Sequence, residues 1–197
     1  MKNWTLCADD ELVSLYLSGE NEAFVTLLDR YKDKLFAYIY FIVRRKDLSD
    51  DIFQDTFVKA IVTLQKGGYT CNGRFGAWLT RIAHNLIIDS FRQDRKENLV
   101  SSDTCGTDIL NNADLCERNA EDDMVDSQTL EDLRGLVNEL PDNQREVVFM
   151  RYYQDLSFKE IADITGVSIN TALGRMRYAL INIRKMASDR NISLTGE

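Results

Sequence analysis

The sequence predicts an all-α fold in which two small helical bundles are joined by an acidic linker. Apolar residues recur at steps of three and four along most of the chain, and no segment alternates convincingly with period two. A single proline and ten glycines supply too few turn residues for a sandwich or barrel of many short strands. A net charge of −10 over residues 97–132 separates two nearly neutral segments, and it marks the boundary between the bundles.

The first bundle, residues 1–96, is predicted to contain four helices. Asp9 can cap the first helix, Gly19 can close it, and Asn21 can cap a long second helix. A third helix runs from about Leu48 to Leu64, where the stretch KGGYTCNG interrupts it. The fourth helix is marked by an apolar stripe: Phe75, Trp78, Leu79, Ile82, Leu86 and Ile87.

Residues 97–128 are predicted to form the linker between the bundles. The stretch is rich in Asp, Asn, Ser and Thr and poor in aromatic residues. Such a composition buries too little apolar surface to offset the entropy of ordering. Two interpretations remain open, since the linker could be a solvated spacer or an acidic arm that lies in a positively charged channel of a partner.

Two helices open the second bundle, residues 129–197. The first is predicted to stop before Pro141, which cannot continue a helix. The apolar residues that mark the two helices are Leu130, Leu133, Val137 and Leu140 in the first, and Val147, Val148, Met150 and Tyr152 in the second.

The second bundle is predicted to end in a helix-turn-helix. Ser157 and Glu160 have the spacing of a capping box, which fixes a helix start near Phe158. Gly166 can adopt the positive φ that ends this helix and turns the chain sharply. Ser168 can then cap the next helix. This succession of signals is typical of a helix-turn-helix.

The last helix carries a basic face beside its apolar stripe. Residues 169–190 have a local net charge of +4 in a chain whose net charge is −8, and attraction to phosphate depends on the local surface. The alternative is an ordinary helical hairpin with a solvated basic face. The predicted buried residues are Ala172, Met176, Ala179, Leu180 and Ile183, and the candidate groove-facing residues are Ser168, Asn170, Thr171, Gly174, Arg175 and Arg177.

Cysteine and histidine usage argues against several kinds of site. The four cysteines show no paired metal spacing and are expected to be reduced thiols. A single histidine leaves little for a zinc site or a histidine-based catalytic triad. No apolar run approaches the roughly 18 residues of a membrane span, and MKNWTLCADDEL lacks the apolar core of a signal peptide. We therefore expect a cytoplasmic protein without a cofactor, a bound metal or direct membrane insertion.

Three stretches of the chain resemble the bacterial sigma-70 family, specifically its short extracytoplasmic-function (ECF) sigma factors. The helix that the family's second region presents to RNA polymerase is similar to DDIFQDTFVKA. The family's promoter-melting helix is similar to RFGAWLTRIAHNLIIDSFR. Its fourth region is similar to LPDNQREVVFMRYYQDLSFKEIADITGVSINTALGRMRYALINIRK.

The resemblance implies a sigma factor that directs RNA polymerase to specific promoters and initiates transcription. The first bundle would bind the polymerase and open the promoter at the minus-ten element, and the second would read the minus-thirty-five element. The implied partners are core RNA polymerase, through the clamp region of its largest subunit and its flap, promoter DNA and an anti-sigma factor. The resemblance implies no enzymatic activity of the chain's own.

The resemblance also implies roles for residues of the first bundle. Asp51, Gln54 and Asp55 would bind the polymerase, because Asp51 and Asp55 share a helix face that suits a basic surface. An unstacked base can be read by its edge and stacked on an aromatic ring. The candidates for that role are Tyr69, Thr70, Cys71 and Asn72 in the loop and Asn85 on the following helix, while Arg81, Arg92 and Arg95 would hold phosphates.

Two residues near these candidates are not expected to contact DNA. Trp78 lies on the apolar stripe of its helix, so it is expected in the core rather than as a stacking platform. His84 is expected at the surface. On the recognition helix, Asn170, Ala172 and Leu173 depart from the pattern of many family members, so the resemblance does not indicate a promoter sequence.

Two other classes of protein remain open at this point. A stand-alone helix-turn-helix regulator would use the first bundle to dimerise and would bind a two-fold repeated site. A helical phosphohydrolase would use Asp51 and Asp55 to hold a metal, although few other acids or histidines cluster with them. Without the resemblance, a solvated acidic face would be the simplest interpretation of these two residues.

Overall fold

The computed structural model describes residues 4–100 and 132–192, except for the side chains of residue 5 and of residues 95–100. Every regular element within these ranges is helical, which confirms the all-α prediction. The chain divides into two compact units, and the acidic stretch falls between their helices. No helix of the described ranges is long and apolar enough to cross a membrane.

Within residues 4–100, the N-terminal unit contains a short 3-10 helix, Trp4–Leu6, followed by four α-helices. The α-helices are α1 Asp9–Leu17, α2 Asn21–Val43, α3 Lys46–Gln65 and α4 Phe75–Val100. Helix α2 contacts each of the other three, so it forms the centre of the unit. The largest fully buried side chains around it are Leu12, Leu27, Tyr38, Ile39, Leu64, Phe75, Leu79 and Ile87.

The predicted caps of α1 and α2 are wrong. Ala8 and Glu20 occupy the N-cap positions, and neither makes a side-chain cap hydrogen bond. Asp9 instead accepts a hydrogen bond from Arg30 Nη1 at 2.7 Å and another from the Tyr31 hydroxyl. Partners on another helix have replaced the local cap, because a charged, partly buried pair is worth more than one exposed cap. The close of α1 is as predicted, since Gly19 has a φ of +107°.

His84 was predicted at the surface, and the structure places it in the core. Its residue surface is only 9% exposed, and its Nδ1 lies 3.1 Å from the Tyr38 hydroxyl. The buried face of α4 is wider than the apolar stripe alone indicated, because it also includes Thr80 and Ala83. A buried polar ring requires a hydrogen-bond partner, and α2 supplies one.

Within residues 132–192, the C-terminal unit contains four helices. They are α5, residues 132–138, α6 Asp142–Tyr152, α7 Phe158–Thr165 and α8 Ile169–Asp189. Helix α6 packs against α8, where Gln144 Oε1 accepts a hydrogen bond from Asn182 Nδ2 at 2.8 Å. At the end of α8, both carboxylate oxygens of Glu139 accept hydrogen bonds from Arg190 Nη2. The unit therefore has its own core and its own polar contacts.

Most of the predicted linker lies outside the described residues. The prediction placed it at 97–128, and the structure describes nothing between 101 and 131. The backbone of α4 continues to Val100, four residues past the predicted end of the first bundle. The domain boundaries and the state of the linker therefore stay predictions.

Candidate nucleic-acid interface

The corner of the helix-turn-helix is set by a capping box, as predicted. Glu160 Oε2 accepts hydrogen bonds from the Ser157 backbone N at 2.8 Å and from its Oγ at 2.5 Å. The Glu160 backbone N in turn donates to Ser157 Oγ at 3.3 Å. This reciprocal pair satisfies groups that the start of α7 would otherwise leave without partners. It fixes where the first helix of the motif begins.

The turn and the start of α8 also agree with the prediction. Gly166 has a φ of +67°, and the Val167 backbone N donates to Ala162 O at 3.0 Å, which closes α7. Ser168 is extended and its Oγ accepts a hydrogen bond from the Thr171 backbone N at 3.0 Å. Local bonds therefore fix the direction in which α8 leaves the turn.

The predicted recognition residues fall into two groups on α8. Ser168 and Thr171 form the cap, and their hydroxyl oxygens lie 2.8 Å apart. Asn170 and Arg177 are exposed, and their spacing of seven places them on one face of α8. Gly174 lies between them, and a Cβ added there would meet open space. Arg175 is half-buried beside this face.

The buried side of α8 is close to the prediction. Ala172, Met176, Ala179 and Ile183 are buried, and Leu180 is half-buried. Sequence reasoning missed a shallow groove beside the basic face, lined by Leu173, Met176, Arg177, Leu180, Ile181 and Arg184. The spacing of Leu173, Leu180 and Ile181 predicts this groove, because residues seven or eight positions apart lie on the same face of a helix.

The predicted polymerase-binding face on α3 is exposed and extends further than expected. Asp51, Gln54 and Asp55 are all exposed. Val58 and Val62 follow at helical spacing and are 59% and 42% exposed. The face is therefore an acidic patch continued by an apolar one. Sequence reasoning missed the two valines, although their spacing from Asp51 and Asp55 places all four residues on one face of α3.

The loop between α3 and α4 is tied to α1 through Asp10, a residue that sequence reasoning missed. Asp10 Oδ1 accepts a hydrogen bond from the Tyr69 hydroxyl at 2.6 Å, and Oδ2 accepts one from the Gly73 backbone N at 2.7 Å. The Tyr69 ring packs against Phe75 and Trp78, with centroid distances of 5.6 and 5.0 Å. Burial and the Asp10 carboxylate raise the pKa of Tyr69, so its hydroxyl stays protonated and donates.

The loop residues between these two anchors face solvent. Thr70, Cys71 and Asn72 are exposed. Asn72 Oδ1 accepts a hydrogen bond from the Arg74 backbone N at 3.1 Å, the pattern of an Asx turn. The structure thus separates Tyr69, which is anchored, from the three other candidates of the loop. Trp78, expected in the core, is half-buried in the aromatic cluster with Tyr69.

The outer face of α4 carries the remaining candidates. Arg81 and Asn85 are exposed one turn apart, and Arg92 is exposed two turns further on. Arg92 forms an exposed ion pair with Asp89 at 3.3 Å, which contributes little stability and leaves the guanidinium accessible. The side chain of Arg95 lies outside the described residues. Arg81, Asn85 and Arg92 share the side of α4 away from the core.

Within the described ranges, no three histidine, cysteine or acidic residues lie close enough together to hold a metal ion. The two cysteines of these ranges, Cys7 and Cys71, are not joined by a disulfide. Cys105 and Cys116 lie outside them. The described residues offer exposed polar and basic faces at the candidate positions.

Two family matches cover the candidate faces of both units. Residues 27–97 match the family described as Sigma-70 region 2, and residues 130–177 match Sigma-70, region 4. The first match spans α3, the anchored loop and most of α4. The second spans the helix-turn-helix as far as Arg177. The order of the matches is that of the resemblance found in the sequence.

Several curated proteins are similar to this chain. It is 36% identical over 157 residues to the ECF RNA polymerase sigma factor BldN of Streptomyces coelicolor, covering 79% of this chain and 57% of BldN. It is 28% identical over 174 residues to the ECF RNA polymerase sigma factor SigW of Bacillus subtilis, covering 87% and 92%. It is 31% identical over 160 residues to the RNA polymerase sigma factor YlaC of the same organism, covering 78% and 87%.

Two solved structures share the fold. The sigma factor RpoE in complex with the anti-sigma factor NepR from Bartonella quintana matches with a TM-score of 0.65 at 22% identity, covering 84% of this chain and 96% of that one. CnrH in complex with the cytosolic domain of CnrY matches with a TM-score of 0.61 at 23% identity, covering 92% and 98%. At these identities the likeness supports the all-helical architecture.

Proposed function

The chain belongs to the sigma-70 family as an ECF sigma factor, and we propose that it directs RNA polymerase to specific promoters and initiates transcription there. The observation that carries this proposal is the presence of both sigma regions, in order, on two separate compact units. A stand-alone helix-turn-helix regulator needs only the second. In this role the chain acts by binding and performs no chemistry of its own.

The C-terminal unit would read the minus-thirty-five element. Asn170 and Arg177 are exposed on one face of α8, and the helix and its end carry a local net charge of +4. Arg175 and Arg177 would neutralise phosphates, which gives affinity without sequence preference. Asn170 could pair with an adenine edge, a contact that discriminates between bases. Ser168 and Thr171 would fix the start of the helix at the DNA surface.

The N-terminal unit would melt the minus-ten element. The exposed loop residues Thr70, Cys71 and Asn72 and the exposed Asn85 would take up an unstacked base, with the anchored Tyr69 at the edge of the loop. The arginines of α4 would hold the backbone of the opened strand: Arg81, Arg92 and Arg95.

The acidic and apolar face of α3 would bind core polymerase. Asp51, Gln54 and Asp55 suit a basic surface such as the clamp region, and the exposed Val58 and Val62 would be buried on contact. The flap would contact the C-terminal unit. An anti-sigma factor is a further proposed partner, because RpoE, one of the structural neighbours, was solved with the anti-sigma factor NepR.

Run-off transcription from a genomic library tests this function. Core polymerase with the chain should give transcripts that core polymerase alone does not, and each transcript should begin downstream of a shared pair of elements. Reversing the charge on α3 with the double variant Asp51→Lys and Asp55→Lys should weaken core binding at least tenfold, since close like charges repel.

The matched control places the same lysine on α2. Glu22 is exposed and has no side-chain partner shown in the structure, so Glu22→Lys should leave core binding unchanged within twofold. A chain that forms no complex with core polymerase, and instead footprints a discrete two-fold site as a dimer, would contradict the proposed function.

A further inference from the structure

We propose that Asp10 is a positioning residue that holds the α3–α4 loop in the shape that receives the unstacked base. The proposal rests on the proposed function and adds a residue that the resemblance did not single out. Asp10 lies outside the matched region, which begins at residue 27. Its carboxylate accepts hydrogen bonds from Tyr69 and Gly73 of the loop, so its effect on DNA is expected to pass through the loop.

The geometry brackets the exposed part of the loop between two anchors. One oxygen of the Asp10 carboxylate accepts from the Tyr69 hydroxyl at 2.6 Å, and the other accepts from the Gly73 backbone N at 2.7 Å. The three exposed residues 70–72 lie between these anchors. Hydrogen bonds to an ionised carboxylate are short and about twice as strong as neutral ones. A single side chain therefore fixes both ends of the base-receiving segment.

Both anchors are themselves constrained. The Tyr69 ring packs against both Phe75 and Trp78 of α4, which restricts the movement of its hydroxyl away from Asp10. Gly73 donates its N–H to Asp10 and has a φ of +70°, a backbone conformation that other residues rarely adopt. The loop is thus tied to α4 by a ring and to α1 by a carboxylate.

Asp10 lies on a helix that is firmly attached to the unit. Its neighbour Asp9 accepts hydrogen bonds from Arg30 and Tyr31 of α2. Arg30 also donates to Cys7 O at 2.7 Å, which fixes the chain just before α1. The two adjacent aspartates therefore have different partners, since Asp9 docks α1 on α2 and Asp10 docks the loop on α1.

Order in this loop has a consequence for base binding. A loop that must be ordered on binding costs affinity, because ordering its residues is unfavourable in entropy. Because Asp10 orders the loop in the folded protein, base binding does not have to supply the free energy of ordering it. Removal of the carboxylate should weaken the capture of a base without altering contacts made by the arginines of α4 or by α3.

The first test measures the loop itself. Asp10→Asn keeps the side-chain shape but removes the charge, and amide hydrogen exchange of the full chain by NMR should show Gly73 exchanging roughly tenfold faster, as expected when a hydrogen bond to a charged group is lost. Glu11→Gln is the matched control, because Glu11 is an exposed acid on the same helix. It should leave exchange at Gly73 unchanged.

The second test measures base capture by the holoenzyme. Single-stranded oligonucleotides carry the minus-ten element of a promoter found by run-off transcription, either intact or with an abasic site at each position in turn. For wild type and Glu11→Gln, one abasic position should lower affinity markedly. For Asp10→Asn, the intact oligonucleotide should bind about five- to tenfold more weakly, and the abasic one should bind as it does to wild type.

A third variant separates positioning from general damage. Tyr69→Phe keeps the ring packing and removes one anchor, so its loss on the intact oligonucleotide should be smaller than that of Asp10→Asn. The proposal is overturned if Asp10→Asn keeps the wild-type ratio of the affinities for the intact and the abasic oligonucleotide, whether or not both affinities fall. Assembly with core polymerase is measured separately. If the wild-type chain does not assemble, the proposed function fails, and this proposal fails with it.

Discussion

The two units position their candidate DNA surfaces by different means. In the C-terminal unit, the bonds that fix the helix-turn-helix join residues three apart, Ser157 with Glu160 and Ser168 with Thr171. In the N-terminal unit, the bonds that fix the loop join Asp10 to residues 59 and 63 positions away. The recognition helix is therefore oriented by local chemistry, whereas the loop is oriented only when the whole unit is folded.

This difference predicts unequal sensitivity to damage in the core. Loss of packing anywhere around α2 should disturb the loop, while the corner should keep its shape as long as its own helices persist. The two units can be followed separately, because both tryptophans, Trp4 and Trp78, lie in the N-terminal unit. Tryptophan fluorescence then reports one unit, and far-ultraviolet circular dichroism reports both.

The largest expected effect comes from Phe75→Ala. Phe75 is fully buried and its ring contacts Tyr31, Tyr69 and Trp78. Truncation of a buried phenylalanine costs about 3–5 kcal/mol, so urea unfolding followed by tryptophan fluorescence should shift to a much lower midpoint.

The mirror-image variant is Ile161→Ala in the C-terminal unit, where Ile161 is also fully buried. It should shift the circular dichroism transition and leave the tryptophan transition in place. If Ile161→Ala moves the tryptophan transition as well, the units unfold as one body and the comparison between them fails.

A smaller effect is expected from Arg30→Met. Arg30 donates to Asp9, to Cys7 O and to Trp4 O at 3.2 Å, and methionine keeps most of the apolar stem. The loss of hydrogen bonds to a charged group should destabilise the N-terminal unit by about 1.5–3 kcal/mol in the same fluorescence assay. Lys59→Met, a change at an exposed position on α3 of the same unit, is the control and should cost much less.

The cap of α7 should have a still smaller and purely local effect. Ser157→Ala removes the hydroxyl of the capping box and should cost about 1 kcal/mol. The shift should appear in circular dichroism alone. The control is Ser188→Ala, because Ser188 is exposed near the end of α8. It shows how much stability the unit loses when a serine outside the cap is replaced. Equal shifts for the two variants would show that the cap has no special role.

The smallest effect is confined to alkaline pH. Burial and the neighbouring aspartates raise the pKa of Tyr31 and of Tyr69 above the ordinary value of about 10. The folded unit therefore holds these protons more tightly than the unfolded chain does. The resulting stability is fully present below pH 10 and is lost as the pH rises beyond it.

The measurement is the urea midpoint of the N-terminal unit between pH 8 and 11, followed by tryptophan fluorescence. The double variant Tyr31→Phe and Tyr69→Phe should lose less stability over that range than wild type. Parallel curves for the two proteins would contradict this assignment of the pH dependence to the tyrosines.

Sequence reasoning was accurate for the local structure of the helix-turn-helix. The capping box, the positive φ of Gly166 and the cap by Ser168 all follow from neighbours within a few positions, and the structure confirms them. The all-helical class was equally readable, because helix periodicity is a local property.

Distant partners account for what could not be predicted. Asp9 was assigned to a cap because nothing nearby indicates that Arg30 and Tyr31 will lie beside it. His84 was assigned to the surface because its partner, Tyr38, is 46 positions away. The loop anchor Asp10 gave no signal at all in the sequence. The spacing of Val58 and Val62 along α3 does predict that they share the face of Asp51 and Asp55, and sequence reasoning missed them.

The glycine in the exposed face of α8 has a consequence for fit. Gly174 is flanked by Asn170 one turn before it and Arg177 one turn after it, and nothing fills the space where a side chain would begin. A glycine within a helix costs about 1 kcal/mol relative to alanine. The missing side chain leaves a gap on the helix surface at this position. A DNA backbone could therefore approach the axis of α8 more closely here than it could if residue 174 carried a side chain.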